Sequence, residues 1–137
     1  MSKNPFQPGD KVTFSKTVSE TDVYMFAGIT GDFSPNHTNE EFMKTTPFKT
    51  RIVHGALLVG FISTASYLMI EKKEAKAVNY GFNKIRFIKP VYFGDTITVH
   101  YRIDRIEDDG AKAIADVQVV NQDGTVCAVA ENILYAI

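Results

Sequence analysis

The amino-acid sequence predicts an α+β domain in which an antiparallel sheet of about five strands wraps one long apolar helix. Two observations carry this expectation. Residues 55–70, GALLVGFISTASYLMI, are apolar almost all round, the pattern of a helix enclosed within a domain. Four strand-like segments follow, at 79–88, 96–106, 111–121 and 125–136, punctuated by Gly94-Asp95, Asp109-Gly110 and Asp123-Gly124.

Pro8-Gly9-Asp10 is a turn signal, and the run after it, with Val12, Phe14, Thr17 and Val18, reads as a first strand. Ser19, with Asp22 three residues later, has the form of a helix N-cap and its acidic partner. Val23, Met25, Phe26 and Ile29 supply that helix's apolar side, and Gly28 and Gly31 weaken its end. Residues 32–38 contain Ser, Pro and Asn and are expected to form a loop. A second capping pattern, Thr38 with Glu41, opens a short helix over 39–44.

After the apolar helix, Glu71-Lys72-Lys73-Glu74 returns the chain to water. The four later strands are expected to join through three consecutive hairpin connections. In one of them Ile97, Val99, Tyr101 and Ile103 alternate with Thr96, Thr98, His100, Arg102 and Asp104, so one face is apolar and the other polar.

Composition limits the functions. A chain of 137 residues with 45% hydrophobic content suits one domain over 1–137, since a chain of this size buries roughly 68–70% of its unfolded surface. Its 15 basic and 16 acidic residues are interspersed, with a net charge of -1, which disfavours nucleic acid or an anionic membrane as partner. No apolar run reaches the roughly 18 residues of a membrane span. The single Cys127 in an apolar run points to a packed thiol and a reducing, cytoplasmic setting. Gly9, Gly28 and Gly31 form no phosphate-binding fingerprint, and His37, His54 and His100 lack metal-ligand spacing, so neither a nucleotide cofactor nor a metal is expected. Lys84, Arg86 and Lys89 read as a solvated strand edge.

The chemistry-bearing segment is 26–37, FAGITGDFSPNH, where Asp32 and His37 sit five residues apart in a stretch stiffened by Pro35. An acid and an imidazole held close can divide proton acceptance and delivery. Gly55 stands at the start of the apolar helix, where a free backbone N–H and the helix dipole favour developing negative charge. His54 beside it reads as a structural or capping residue, its ring bonded to a nearby carbonyl.

These residues resemble the MaoC-like family of (R)-specific enoyl-CoA hydratases, whose motif runs Gly-Asp-x-Asn-Pro-apolar-His and is followed by a His-Gly-Met-Leu-like segment. The matching stretches are GDFSPNH and VHGALL, and FIKPVYFGD at 87–95 is similar to a later signature of the family. Ser34 stands where the motif has Asn, and Asn36 where it has an apolar residue. The resemblance implies a hot-dog fold with a short helical overhang carrying the catalytic loop. It also implies hydration of trans-2-enoyl thioesters to (3R)-hydroxyacyl thioesters, a reversible hydro-lyase reaction. Asp32 and His37 become the catalytic pair, Gly55 the oxyanion donor, and Ser63 a supporting hydroxyl near the aspartate. The substrate carrier is coenzyme A or acyl carrier protein, no cofactor is used, and the chain pairs into a homodimer or higher homo-oligomer. Two rival readings are a hot-dog thioesterase, which attacks the thioester carbon instead, and a non-catalytic acyl-CoA-binding module.

Overall fold

The computed structural model describes residues 4–137. Strand β1 (Lys11–Thr17) leads into helix α1 (Glu20–Thr30), two single-turn helices α2 (Pro35–Thr38) and α3 (Glu40–Met43), and the long helix α4 (Gly55–Lys72). Strands β2 (Ala77–Phe87), β3 (Thr96–Glu107), β4 (Lys112–Val120) and β5 (Val126–Ala136) complete one five-stranded sheet in the order β1-β3-β4-β5-β2, with every pair antiparallel. Helix α4 touches all five strands.

The period of two along the strands builds the core. Val12 lies opposite Tyr101, Tyr101 opposite Val117, and Val117 opposite Ala130, while Phe14, Val99, Val119 and Ala128 form the next row. These side chains point toward α4; their neighbours Thr13, His100 and Gln118 point to solvent, since successive residues alternate faces. Ile97, Val99, Tyr101 and Ile103 are at most 1% exposed, so the half-covered sheet expected from their alternation is what forms. Leu58, Ile62, Ala65 and Met69 of α4 meet them from the other side. Cutting Leu58 or Ile62 to alanine is expected to cost ~2–5 kcal/mol, the transfer term plus the cavity left behind.

The far side of the core contains a buried polar chain. Tyr101 Oη donates to Asn132 Oδ1 at 2.5 Å, and Asn132 Nδ2 donates to Asn79 Oδ1 at 2.9 Å and to the Gly81 carbonyl at 3.0 Å. This satisfies a fully buried amide and ties β3 to β5 and β2.

Several expectations are corrected. Helix α4 is buried on one side only, because the sheet covers one side; Ala56, Gly60, Ser63 and Tyr67, spaced along the other side, are exposed. Strands β2 and β3 do not form a hairpin. Gly94 N–H donates to the Val18 carbonyl and Val18 N–H to that of Asp95, so this turn docks on the end of β1 and sets β3 beside it, leaving β2 to pair with β5 across the sheet. Helix α1 buries Val23 and Ala27, whereas Met25 and Ile29 are 60% and 82% exposed. Its Ser19–Asp22 capping box forms as expected; the helix runs through Gly28 and ends at Gly31, which is left-handed (φ 84°).

Candidate active site

The loop expected over 32–38 contains one helical turn, α2, with Pro35 at its first position, where a missing N–H costs nothing. Thr38 does not cap α3. Its hydroxyl donates to the carbonyls of Phe33 and Ser34, closing the Asp32 to Thr38 segment on itself, and Asn39 accepts from Phe42 N–H as the cap instead. Asn39 is the residue directly before α3, so its amide oxygen is placed to accept from a free N–H of the first turn.

This local folding brings Asp32 and His37 to one place. His37 is 9% exposed, and its Nδ1 lies 2.7 Å from the Ile52 carbonyl oxygen. The same segment is tied back by Ile52 N–H, which donates to the Asn36 carbonyl at 3.0 Å. A carbonyl only accepts, so Nδ1 carries the proton and Nε2 presents a lone pair. Asp32 is half exposed; its Oδ1 accepts from Ser34 N–H at 3.2 Å, and hydrogen bonding by Ser34 holds its carboxyl below the usual carboxylate range. Asp32 is therefore ionised, and the pair offers two acceptors.

His54 joins them. Its ring is 1% exposed, stacks on His37 with 3.8 Å between centroids and 24° between planes, and meets Phe26 at 4.8 Å. Its Nε2 donates to the Asp32 carbonyl at 3.0 Å and lies 4.0 Å from Asp32 Oδ2. The sequence-based reading of His54 as a ring bonded to a carbonyl holds, but that carbonyl belongs to Asp32, which the sequence does not reveal. The His-Gly pair at the start of an apolar helix was the available signal.

Ligand atoms of Asp32, His37 and His54 come within 4.8 Å of one another, close enough to ask whether they suit a metal. Their geometry does not favour one. His37 Nδ1 and His54 Nε2 are engaged with carbonyls, and stacked rings 3.8 Å apart and only 24° from parallel do not readily share one ion in the plane of both.

Gly55 opens α4 beside His37, and its N–H, the first of the helix, has no intrahelical acceptor. The glycine itself has a different reason from the one the sequence suggests. A Cβ there would lie 2.7–2.8 Å from three atoms of the Phe87 ring, so Phe87 occupies the space that a side chain at this position would take. A mostly apolar groove of about 270 Å³ reaches His37 of the pair, lined also by Gly55, Leu58, Phe48, Phe87 and Ile88; Asp32 is not part of its lining. Lys89 also lines it, so one member of the cationic edge faces the groove.

Ser63 lies eight residues along α4 from Gly55, roughly 12 Å at 1.5 Å per residue, on the exposed side. Among the described residues no hydrogen bond joins it to Asp32; its carbonyl accepts from Ser66 Oγ. Cys127 is buried, with its thiol pushed up by burial, as a packed cysteine should be.

The overhang is braced from outside by Arg51, which pairs with Glu20 at 2.8 Å, approaches Glu40 at 3.5 Å, donates to Tyr24 Oη and lies over the Phe93 ring. Glu40 in turn accepts from Thr50 Oγ1 and Arg51 N–H. These bonds join α1 and α3 to the segment that presents the Ile52 carbonyl to His37.

Comparison with known proteins agrees with this geometry. The family model described as "MaoC like domain" matches residues 3–126. An (R)-specific enoyl-CoA hydratase of Rhodospirillum rubrum is 43% identical over 90 residues, 66% of this chain and 60% of that protein, so this chain spans less than two thirds of that relative. The (R)-specific enoyl-CoA hydratase of Aeromonas caviae is 28% identical over 134 residues, 98% of each chain. A 3-hydroxyacyl-thioester dehydratase of Mycobacterium tuberculosis is 34% identical over 105 residues, 74% of this chain and 70% of that protein. The solved structure of the Aeromonas caviae (R)-hydratase superposes with a TM-score of 0.85 at 27% identity, covering 96% of this chain and 98% of that one. With its antiparallel sheet around α4, its overhang and its GDFSPNH loop, the chain belongs to the MaoC-like family and has the hot-dog fold of those hydratases.

Proposed function

We propose that this chain hydrates trans-2-enoyl thioesters to (3R)-hydroxyacyl thioesters and runs the reverse dehydration. The observation that carries the reading is the meeting of two acceptors, ionised Asp32 and His37 Nε2, with His37 lining an apolar groove that Gly55 also lines at the start of α4. A water donating one hydrogen to each acceptor has its oxygen lone pair free to attack carbon 3. The acceptor that takes a water proton returns it to carbon 2, so hydrogen and hydroxyl add to the same face. Charge that builds on the thioester oxygen meets the Gly55 N–H and the positive end of α4. The mechanism uses no cofactor beyond the thioester carrier.

Coenzyme A is the proposed carrier, with an acyl carrier protein as the alternative. The proposed assembly is a homodimer formed through β2. This is an outer strand of the sheet, with Val78, Tyr80 and Phe87, and Ile88 just after it, each at least 45% exposed. No helix among the described residues is long and apolar enough to cross a membrane, and we place the protein in the cytoplasm on its lone buried thiol.

The test follows the loss of enoyl-thioester absorbance with crotonyl-CoA and a longer homologue, with chiral analysis of the product and Asp32→Asn as control. A (3R)-hydroxyacyl product that disappears in the variant supports the reading. Release of free coenzyme A thiol, or binding of acyl-CoA with no turnover of any enoyl thioester, would overturn it.

A further inference from the structure

We propose that His54 is a positioning residue for the catalytic pair, one imidazole that holds the Asp32 backbone through its Nε2–H and the His37 ring through its face. The proposal rests on the hydratase reading for its kinetic consequence, and on geometry alone for the placement.

Three observations support it. First, His54 is the N-cap residue of α4 but makes no side-chain cap bond; its ring reaches instead to a carbonyl 22 positions earlier in the chain, at 3.0 Å. Second, the ring lies between Phe26 on α1 and His37 on α2, at 4.8 Å and 3.8 Å, so it fills the space between the helices that flank Asp32. Third, Nδ1 is buried with no hydrogen-bond partner. A bare lone pair in that position is tolerated, whereas a second N–H there would be a buried donor with nothing to receive it. The ring is thereby restricted to the neutral Nε2–H form, and burial lowers its basicity in the same direction.

The consequence is mechanical. Asp32 and His37 belong to adjacent stretches with different anchors: the Ile52 carbonyl holds His37, and Thr30 Oγ1 and Ser34 N–H hold Asp32. His54 is the group that touches both. A displacement of about 1 Å in a reacting group can cost on the order of 100-fold in rate. His54→Phe retains a flat ring against His37 and Phe26 but removes the donor; His54→Gln retains a donor of similar reach but removes the stack.

The experiment begins on the unmodified protein. Long-range nitrogen–carbon-proton correlation spectra at neutral pH are expected to show His54 as the Nε2–H tautomer; an Nδ1–H or cationic ring would overturn the proposal without any variant. Amide exchange at Ser34, whose N–H bonds the Asp32 carboxylate, is expected to accelerate about tenfold or more in His54→Phe and to recover substantially in His54→Gln. In turnover of crotonyl-CoA, His54→Phe is expected to lower kcat roughly 10–100-fold with KM changed no more than about twofold. Unchanged kcat and exchange in a folded His54→Phe would overturn the proposal, as would equal losses in both variants accompanied by a general loss of exchange protection across the sheet. If the unmodified protein turns over no enoyl thioester, the hydratase reading fails, and the tautomer and Ser34 exchange still decide the placement of Asp32.

Discussion

The Nδ1–H of His37 lies 2.7 Å from the carbonyl oxygen of Ile52, and this one bond decides which nitrogen of the imidazole is available for chemistry. It leaves Nε2 as an acceptor beside an ionised Asp32, the arrangement that the proposed hydration needs to hold and deprotonate a water. Removing the Asp32 carboxylate should leave the fold in place, because Asp32 is half exposed and fills no cavity, whereas His37→Ala also removes a buried ring stacked on His54 and is expected to lose some stability. Asp32→Asn and His37→Ala are each expected to lower turnover about 100-fold or more. Thermal unfolding alongside enoyl-thioester hydration checks this, and near-normal activity in both variants would sink the assignment.

Gly55→Ala separates packing from catalysis. The new methyl group meets the outer atoms of the Phe87 ring, which is 53% exposed and can turn aside into the adjoining groove, so the stability loss is expected to stay below ~1 kcal/mol. The displaced ring then lies in the groove beside His37, and kcat/KM for crotonyl-CoA is expected to fall at least about tenfold. Adding Phe87→Ala should restore the small stability loss. A fully active Gly55→Ala would remove Phe87 and Gly55 from any part in shaping the site.

Tyr101→Phe tests the buried polar chain. The substitution leaves Asn132 Oδ1 without its 2.5 Å donor in a site closed to water, so unfolding free energy should drop by about 1–3 kcal/mol. Urea titration measures this, and activity of the folded fraction should be unchanged because the Tyr101 hydroxyl bonds Asn132 rather than any residue of the catalytic loop. A neutral result would mean that Asn132 finds another donor.

The capping box of α1 gives a pH signature. Asp22 accepts from Ser19 N–H and pairs with Lys16, and these hold its carboxyl below the ordinary 3.8 despite some burial. A depressed carboxyl stabilises the fold at pH above its unfolded value, and that contribution disappears as pH falls through the folded value. The difference in Tm between the unmodified protein and Asp22→Asn should thus be constant above about pH 5 and shrink on acidification to about pH 2, from a neutral-pH cap contribution of ~0.5–2 kcal/mol. A difference that does not change with pH would assign the effect to packing alone.

Local pattern was enough for much of this protein. The period of two in 96–104 places Val99 and Tyr101 inside and His100 outside, Ser19 and Asp22 start α1, and GDFSPNH marks the loop where acid and imidazole meet. Each rests on contacts within a few residues or on which face of a strand meets water, and such information is written along the chain. Tertiary structure decided the rest. β2 pairs with β5 because the Gly94-Asp95 turn docks on Val18, a contact across 76 positions. His54 belongs to the site because its ring reaches the Asp32 carbonyl, and Gly55 is glycine because the Phe87 ring arrives from another strand. Each depends on two distant segments meeting at van der Waals or hydrogen-bond distance, which residue spacing does not encode.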